Sequence, residues 1–217
     1  VEERLVETPQ GPARLLTRRA RKPVVTLVLQ HGAGGGVESH DLQALATHLP
    51  RHGVTVTLLE QPWRVAGRRL AGPPRTLDEA TVAAVSQLRT RSPLVLGGRS
   101  AGARASCRTA RTLAAAGVLC LAFPLHPPGR PERSRADELA GAGVPTLVLQ
   151  GERDPFGRPE ELPEGLYHVD VAVVPAADHA LATPRTSGLG PADVADVLVE
   201  ATLEWLVREV VGNTSRP

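Results

Sequence analysis

The chain is poor in several residue types, and each shortage removes an option. Aromatic residues make up 2% of its 217 positions, so the core has to be assembled from Val, Leu and Ala. The two cysteines, Cys107 and Cys120, are too few for a disulfide framework and lack metal-ligand spacing. Cys107 falls in the helix expected after Ser100 and Cys120 in an apolar strand, and both read as small buried hydrophobes of a reducing compartment. No group of His, Cys and carboxylates has the spacing of a metal site, so neither metal nor cofactor is expected. Lysine is nearly missing: Lys+Arg total 25 and only Lys22 is lysine, which leaves 24 arginines and a net charge of +2. Apart from Arg18-Arg19-Ala20-Arg21-Lys22, the arginines are scattered. That cluster has no interleaved aromatics and reads as a solvated turn between strands, not a nucleic-acid surface. No apolar run approaches the ~18 residues of a membrane span. The opening Val1-Glu2-Glu3-Arg4 does not have the basic-then-apolar layout of a signal peptide. The expectation is a soluble, cytoplasmic protein without a membrane or nucleic-acid partner, its oligomeric state unread.

What the chain has is an ordered alternation of two hydrophobic periods. With 41% hydrophobic and 22% charged residues, its length suits one domain spanning 1–217. Residues 3–8 and 12–17 alternate loosely across Gln10-Gly11-Pro12, the pattern of an antiparallel hairpin at a sheet edge. Val24–Leu29 is continuously apolar and β-branched, as in a strand buried on both faces. It runs into His31-Gly32-Ala33-Gly34-Gly35-Gly36. A helix is expected from Asp41 to Arg51, with Leu42, Leu45 and Leu49 on one face and Gly53 ending it.

Further strands are expected at 54–59, 94–96, 118–123, 146–149 and 167–174. Helices are expected from Thr76, from Ala101 to Ala116, around Arg135–Ala140, and from Pro191 to Val211, with Trp205 in the core. Such βα alternation implies a mostly parallel sheet with helices on both faces. No insertion between elements is long enough to form a separate cap.

Chemistry gathers at the carboxyl ends of strands in a sheet of this kind. The apolar run Leu94-Val95-Leu96 leads into Gly98-Arg99-Ser100-Ala101-Gly102, a strand-to-helix turn with room only for glycine two residues either side of the serine. Ser100 stands there as a candidate nucleophile. A serine hydroxyl needs a base in hydrogen-bond reach and an orienter for that base. In parallel sheets that carry this motif the partners follow in the order acid, then histidine. Asp154 follows the strand at 146–149 and His179 follows the last strand, so the expected set is Ser100, Asp154 and His179. Glu152 is an alternative acid, and Asp178 reads as a loop-stabilising carboxylate because adjacent side chains seldom face each other. A bland reading of Asp154 is a turn residue before Pro155.

A negative charge developing on a carbonyl oxygen needs two preorganised donors. Ala101 N–H opens the helix after Ser100, and Ala33 N–H lies in the Gly-rich loop, with Gly34 as its substitute. That loop fails the dinucleotide fingerprint because Val37 holds the third glycine position. Trp63, after the strand at 54–59, is a candidate pocket wall. His126 reads equally as a pocket residue or a loop-packing histidine. Arg99 reads as an anion ligand or, preferably, as the partner of a helix-end carboxylate. His31 reads as an anchor of the Gly-rich loop.

The stretches His31–Gly35, Gly98–Arg104, Phe123–Gly129, Gly151–Gly157 and Ala177-Asp178-His179 together resemble a small, lid-less branch of the α/β-hydrolase superfamily. That branch includes bacterial dienelactone-hydrolase-like proteins, the hydrolase-like domain of a subunit of the NSL chromatin-acetylation complex, and the testis-expressed-protein-30 type. The resemblance implies the α/β-hydrolase fold without a cap and the same Ser100, Asp154 and His179. The function expected is hydrolysis of an ester or thioester of a small carboxylic acid through an acyl-enzyme on Ser100. The competing expectation is a non-catalytic interaction module on the same fold, since some relatives look like scaffolds.

Overall fold

A strand that is apolar at every position must be covered on both faces, and this requirement decides the layering. The computed structural model describes residues 1–212; the end of the expected domain, 213–217, lies outside the described residues. Its centre is an eight-stranded sheet of order β1-β2-β4-β3-β5-β6-β7-β8. The strands are β1 (Glu2–Val6), β2 (Ala13–Arg18), β3 (Val25–Gln30), β4 (Val54–Glu60), β5 (Leu94–Arg99), β6 (Gly117–Leu121), β7 (Thr146–Gly151) and β8 (Val169–Val174). The β1–β2 and β2–β4 pairs are antiparallel and every other pair is parallel. The edge hairpin and the parallel body are those expected.

The pleat sorts alternate residues into two cores. Leu27 and Leu29 of β3, Leu119 and Leu121 of β6, and Leu147 and Leu149 of β7 face one cluster. There they meet Leu42 and Leu45 of α1 (His40–His48) and Leu198 and Trp205 of a C-terminal helix that starts at Pro191. Val28, Cys120 and Val148 face the other cluster, beneath α3 (Pro74–Val85), α4 (Ala101–Thr109) and α5 (Ala136–Ala140). The short α2 (Pro62–Val65) follows β4, and α6 (Pro191–Trp205) continues as a wider π turn over Leu206–Val211. Each fully buried leucine contributes about 1.5–3 kcal/mol, enough to hold the helices to the sheet without aromatic bulk. Trp205, 1% exposed, is core as expected.

Several boundaries differ from the periodicity reading. The helix after Ser100 ends at Thr109 instead of Ala116. Ala114 adopts φ +48° and Ala115 N–H turns back to the Ala110 carbonyl, because the chain must reverse there to enter β6. Ala122 also has φ +48°, which stops β6 at Leu121. The helix expected from Thr76 begins at Pro74, proline being suited to a first turn. The last strand begins at Val169, and as an edge strand it leaves Val171 and Val173 largely exposed. Among the described residues no segment between elements is built into a cap over the carboxyl ends of the strands.

Candidate active site

Two glycines let the chain turn sharply out of β5. A Cβ on Gly98 would stand 2.6 Å from the Gln30 carbonyl oxygen, and one on Gly102 would stand 2.7 Å from the same atom. Both contacts are with backbone, which cannot swing aside. The turn therefore brings α4 against the end of β3 only if these positions lack side chains. Between them Ser100 has φ 52° and ψ −110°, a conformation that costs an L-residue about 1–3 kcal/mol. It is held by Ser100 N–H donating to Leu121 O at 3.0 Å and Arg104 N–H donating to Ser100 O at 3.1 Å.

The hydroxyl so presented meets the histidine from the loop after β8. His179 Nε2 lies 2.9 Å from Ser100 Oγ, and His179 Nδ1 lies 2.8 Å from Asp154 Oδ2. Asp154 is fully buried. Its Oδ1 accepts from Phe156 N–H at 2.8 Å, and its Oδ2 also accepts from Gln150 Nε2 at 3.0 Å. A buried carboxylate with three donors is satisfied as the anion. It fixes the imidazole tautomer, placing the proton on Nδ1 and the lone pair of Nε2 toward Ser100. Phe156 stacks on the His179 ring with centroids 4.1 Å apart. This arrangement can draw a proton from Ser100 Oγ and return it to a departing group.

Glu152 takes a different direction from Asp154: its carboxylate accepts from Ala176 N–H at 2.6 Å. Asp178 accepts from the N–H groups of Ala180 and Ala182, and so shapes the loop that carries His179.

The Gly-rich loop lies against the serine turn. A Cβ on Gly32 would be 3.4 Å from both Arg99 O and Ser100 Cβ. Among the described residues neither Ala33 N–H nor Ala101 N–H donates a backbone hydrogen bond, and Ala101 opens α4, where the helix dipole favours negative charge. Gly34 lies in the exposed part of the loop. His31 anchors it: Nδ1 donates to Gly32 O at 2.9 Å, and Nε2 accepts from Gln61 N–H at 3.1 Å. Burial lowers the His31 pKa, which keeps the ring in that neutral form.

The remaining candidates have structural partners. Arg99 faces the buried Asp41 of α1, Nε to Oδ2 at 3.4 Å, and its Nη2 donates to His179 O at 3.2 Å. His126 is buried, with Nδ1 against Pro127 O at 2.9 Å and Nε2 against Glu161 at 3.0 Å. Both of its ring nitrogens are thus spent on packing one loop onto another. Trp63 is buried edge-on against His31, centroids 5.3 Å apart. It lines a cavity of about 210 Å³ with Gln61, Leu70 and Pro73, and Ser100 and His179 are not part of that lining.

Reading for motifs missed the supports. Gln150 lies beneath Asp154 and also reaches the carbonyls of Phe123 and Gly157. Gln30 accepts from Gln61 Nε2 at 2.7 Å and Thr81 Oγ1 at 2.8 Å, and donates to Ser106 Oγ at 3.1 Å. Ser106 in turn donates to Gly97 O, so one buried polar cluster ties β3, the junction of β4 with α2, α3, α4 and β5 together under the turn. Its signal was a glutamine closing an otherwise apolar run in both Leu27-Val28-Leu29-Gln30 and Leu147-Val148-Leu149-Gln150. Among the described residues no group of His, Cys and carboxylates is arranged to hold a metal.

Comparison with known proteins gives the same architecture. A family model described as an alpha/beta hydrolase domain matches residues 23–207. An α/β serine hydrolase homologue from Coxiella burnetii superposes with a TM-score of 0.73 at 18% identity, covering 92% of this chain and 96% of its own. A lid-less α/β serine hydrolase from Xanthomonas campestris gives 0.70 at 19% identity, covering 94% of each chain. Est1E from Butyrivibrio proteoclasticus, solved with ferulic acid bound, gives 0.72 at 13% identity, covering 94% of this chain and 100% of its own. At these identities the likeness is one of fold.

Proposed function

The chain belongs to the alpha/beta hydrolase family, and on that footing we propose that it is a serine hydrolase acting through an acyl-enzyme. The carrying observation is the unbroken run from Asp154 through His179 to Ser100 Oγ, with links of 2.8 and 2.9 Å. Ser100 Oγ bonds to the carbonyl carbon of the substrate as His179 Nε2 takes its proton, and the carbonyl π pair moves onto oxygen. Ala33 N–H and Ala101 N–H donate to that oxyanion. Collapse expels the alcohol or thiol, which leaves with the proton from His179. Water then repeats the sequence on the acyl group and releases the acid. Asp154 holds the imidazole throughout and stabilises its cationic form.

We assign an ester or thioester of a small carboxylic acid as substrate. The uncapped carboxyl edge of the sheet supports this, because an open site admits short or exposed acyl groups. Est1E, a distant relative by fold, holds ferulic acid, a small carboxylic acid. No helix among the described residues is long and apolar enough to cross a membrane. The branch-level resemblance to dienelactone-hydrolase-like proteins points the same way.

A fluorophosphonate probe tests the reading. The protein should be labelled at Ser100 and Ser100→Ala should not. A folded protein that stays unlabelled would leave the interaction-module interpretation standing. A panel of short-chain esters and thioesters then separates the two substrate classes by kcat/KM.

A further inference from the structure

The basic cluster around Arg18–Lys22 has no part in the chemistry above, yet the fold gives it a setting. It lies at the amino ends of the strands, opposite to Ser100. There β3 and β5 pair with Thr26 against Leu94, so the loop entering β3 runs beside the loop entering β5. A cavity of about 510 Å³ opens between them, lined by Arg4, Arg19, Arg89 and Arg91 against a single carboxylate, Glu2.

Its floor carries the hydroxyls of Thr17, Thr26, Thr55 and Thr57 beside Leu15. Thr17 is in register with Thr57 and Thr26 with Thr55. Thr55 and Thr57 are two apart on β4, so all four lie on one sheet face. Helix α3 ends at Val85, and this part of the face carries threonines, whereas Val28, Leu59, Leu96 and Cys120 on the same face belong to the core. Thr17 Oγ1 and Thr57 Oγ1 bond each other at 2.9 Å, using one of their two protons and leaving the other to donate elsewhere. Thr26 Oγ1 lies 2.7 Å from Thr90 Oγ1 and 2.8 Å from Ser92 Oγ, which pins the 88–92 loop over the floor.

The arginines differ in availability. Arg19 is paired with Glu2 at 2.8 Å and Arg4 donates to Gln87 O. Arg89 and Arg91 are exposed and have no carboxylate partner among the described residues. Unpaired guanidinium forks above hydroxyl donors form a set complementary to phosphate oxygens.

We propose that this cavity is a binding site for a small polyanion bearing two or more phosphate groups, held by Arg89 and Arg91 over the Thr17–Thr57 floor. The site stands apart from Ser100 and does not depend on the hydrolase reading.

Titration calorimetry of the full chain with pyrophosphate and with ADP, at near-physiological salt, tests it. Saturable one-to-one binding is expected. Removing two charge-assisted contacts in Arg89→Ser/Arg91→Ser should weaken it by about tenfold or more, with the melting temperature unchanged because both side chains are exposed. Arg130→Ser/Arg133→Ser, on an exposed loop at the other end of the sheet, should bind like the parent. Absence of saturable binding to either probe would overturn the proposal. So would an equal loss in both double variants, which marks general electrostatics, or binding confined to an oligonucleotide, which marks an extended surface instead of a cavity.

Discussion

Arg99 Nη2 donates to the backbone carbonyl of His179 across 3.2 Å. The residue before Ser100 thereby holds the histidine that faces Ser100. The same guanidinium sets Nε 3.4 Å from the fully buried Asp41, in an ion pair without the alignment of a hydrogen bond. One side chain thus joins the β5 turn, the loop after β8 and the start of α1.

Removing Arg99 should therefore separate stability from chemistry. Arg99→Ala leaves the Asp41 charge buried without its cation and should cost about 3 kcal/mol. Arg99→Ala/Asp41→Asn should regain most of that loss in thermal melts. Its His179 loop remains untethered, and kcat on an ester substrate should stay about tenfold or more below the parent, with KM little changed. Full recovery of kcat in the double variant would show that Arg99 acts on stability alone.

Asp154→Asn tests the orienting carboxylate. An amide in place of Oδ2 favours the wrong imidazole tautomer, and the expected fall in kcat is about 10⁴-fold. Circular dichroism should remain native, since the amide can still accept from Phe156 N–H. A fall of less than about tenfold would move the role to another acid, with Glu152 the first to examine.

The glycine spacing makes a prediction about stability. Gly102→Ala sets a methyl group 2.7 Å from Gln30 O and 2.8 Å from His31 O, and overpacking of that kind costs about 1–3 kcal/mol. In a chain of this size that lowers the melting temperature by roughly 2–4 °C per kcal/mol. Gly34→Ala has no atom within 4 Å of the added carbon and should melt like the parent. Equal melting temperatures for the two variants would contradict the geometry.

His126 and Glu161 set a pH window. The Pro127 carbonyl, and after it Glu161, raise the His126 pKa against the lowering effect of burial. Arg158 N–H, and after it His126, lower that of Glu161. The raised histidine stabilises the fold fully below its unfolded value near 6.5, and the contribution is lost as pH rises through the folded value. The lowered carboxylate contributes above its unfolded value near 4.5, and is lost as pH falls through its folded value. The contact should be strongest between those two unfolded values. An NMR titration should place the His126 midpoint above 6.5, and Glu161→Gln should bring it down. A midpoint at or below the ordinary histidine value would contradict the contact.

Much of the scaffold was legible because its signals are local. The apolar run from Val24 to Leu29 announces a strand covered on both faces, which holds from Val25 onward while Val24 itself stays exposed, and Gly98 and Gly102 announce a turn that excludes side chains. Where two local signals compete, legibility fails. Alanines at 114–116 continue a helical pattern, yet the positive φ of Ala114 reverses the chain, because β6 must begin beside β5. Periodicity has no means of recording that demand.

The turn carrying Ser100 is legible in the sequence because Gly98, Ser100 and Gly102 are close together along it, although the steric exclusion that demands those glycines acts against the Gln30 carbonyl of β3. What surrounds Ser100 is a property of the tertiary structure. His179 is 79 positions away and Arg99 reaches His179 across 80. Gln150 and Gln30 look like plain strand ends until the sheet buries them under Asp154 and under the turn. Strand order alone sets which loops become neighbours, and burial then forces each polar side chain to find its partner.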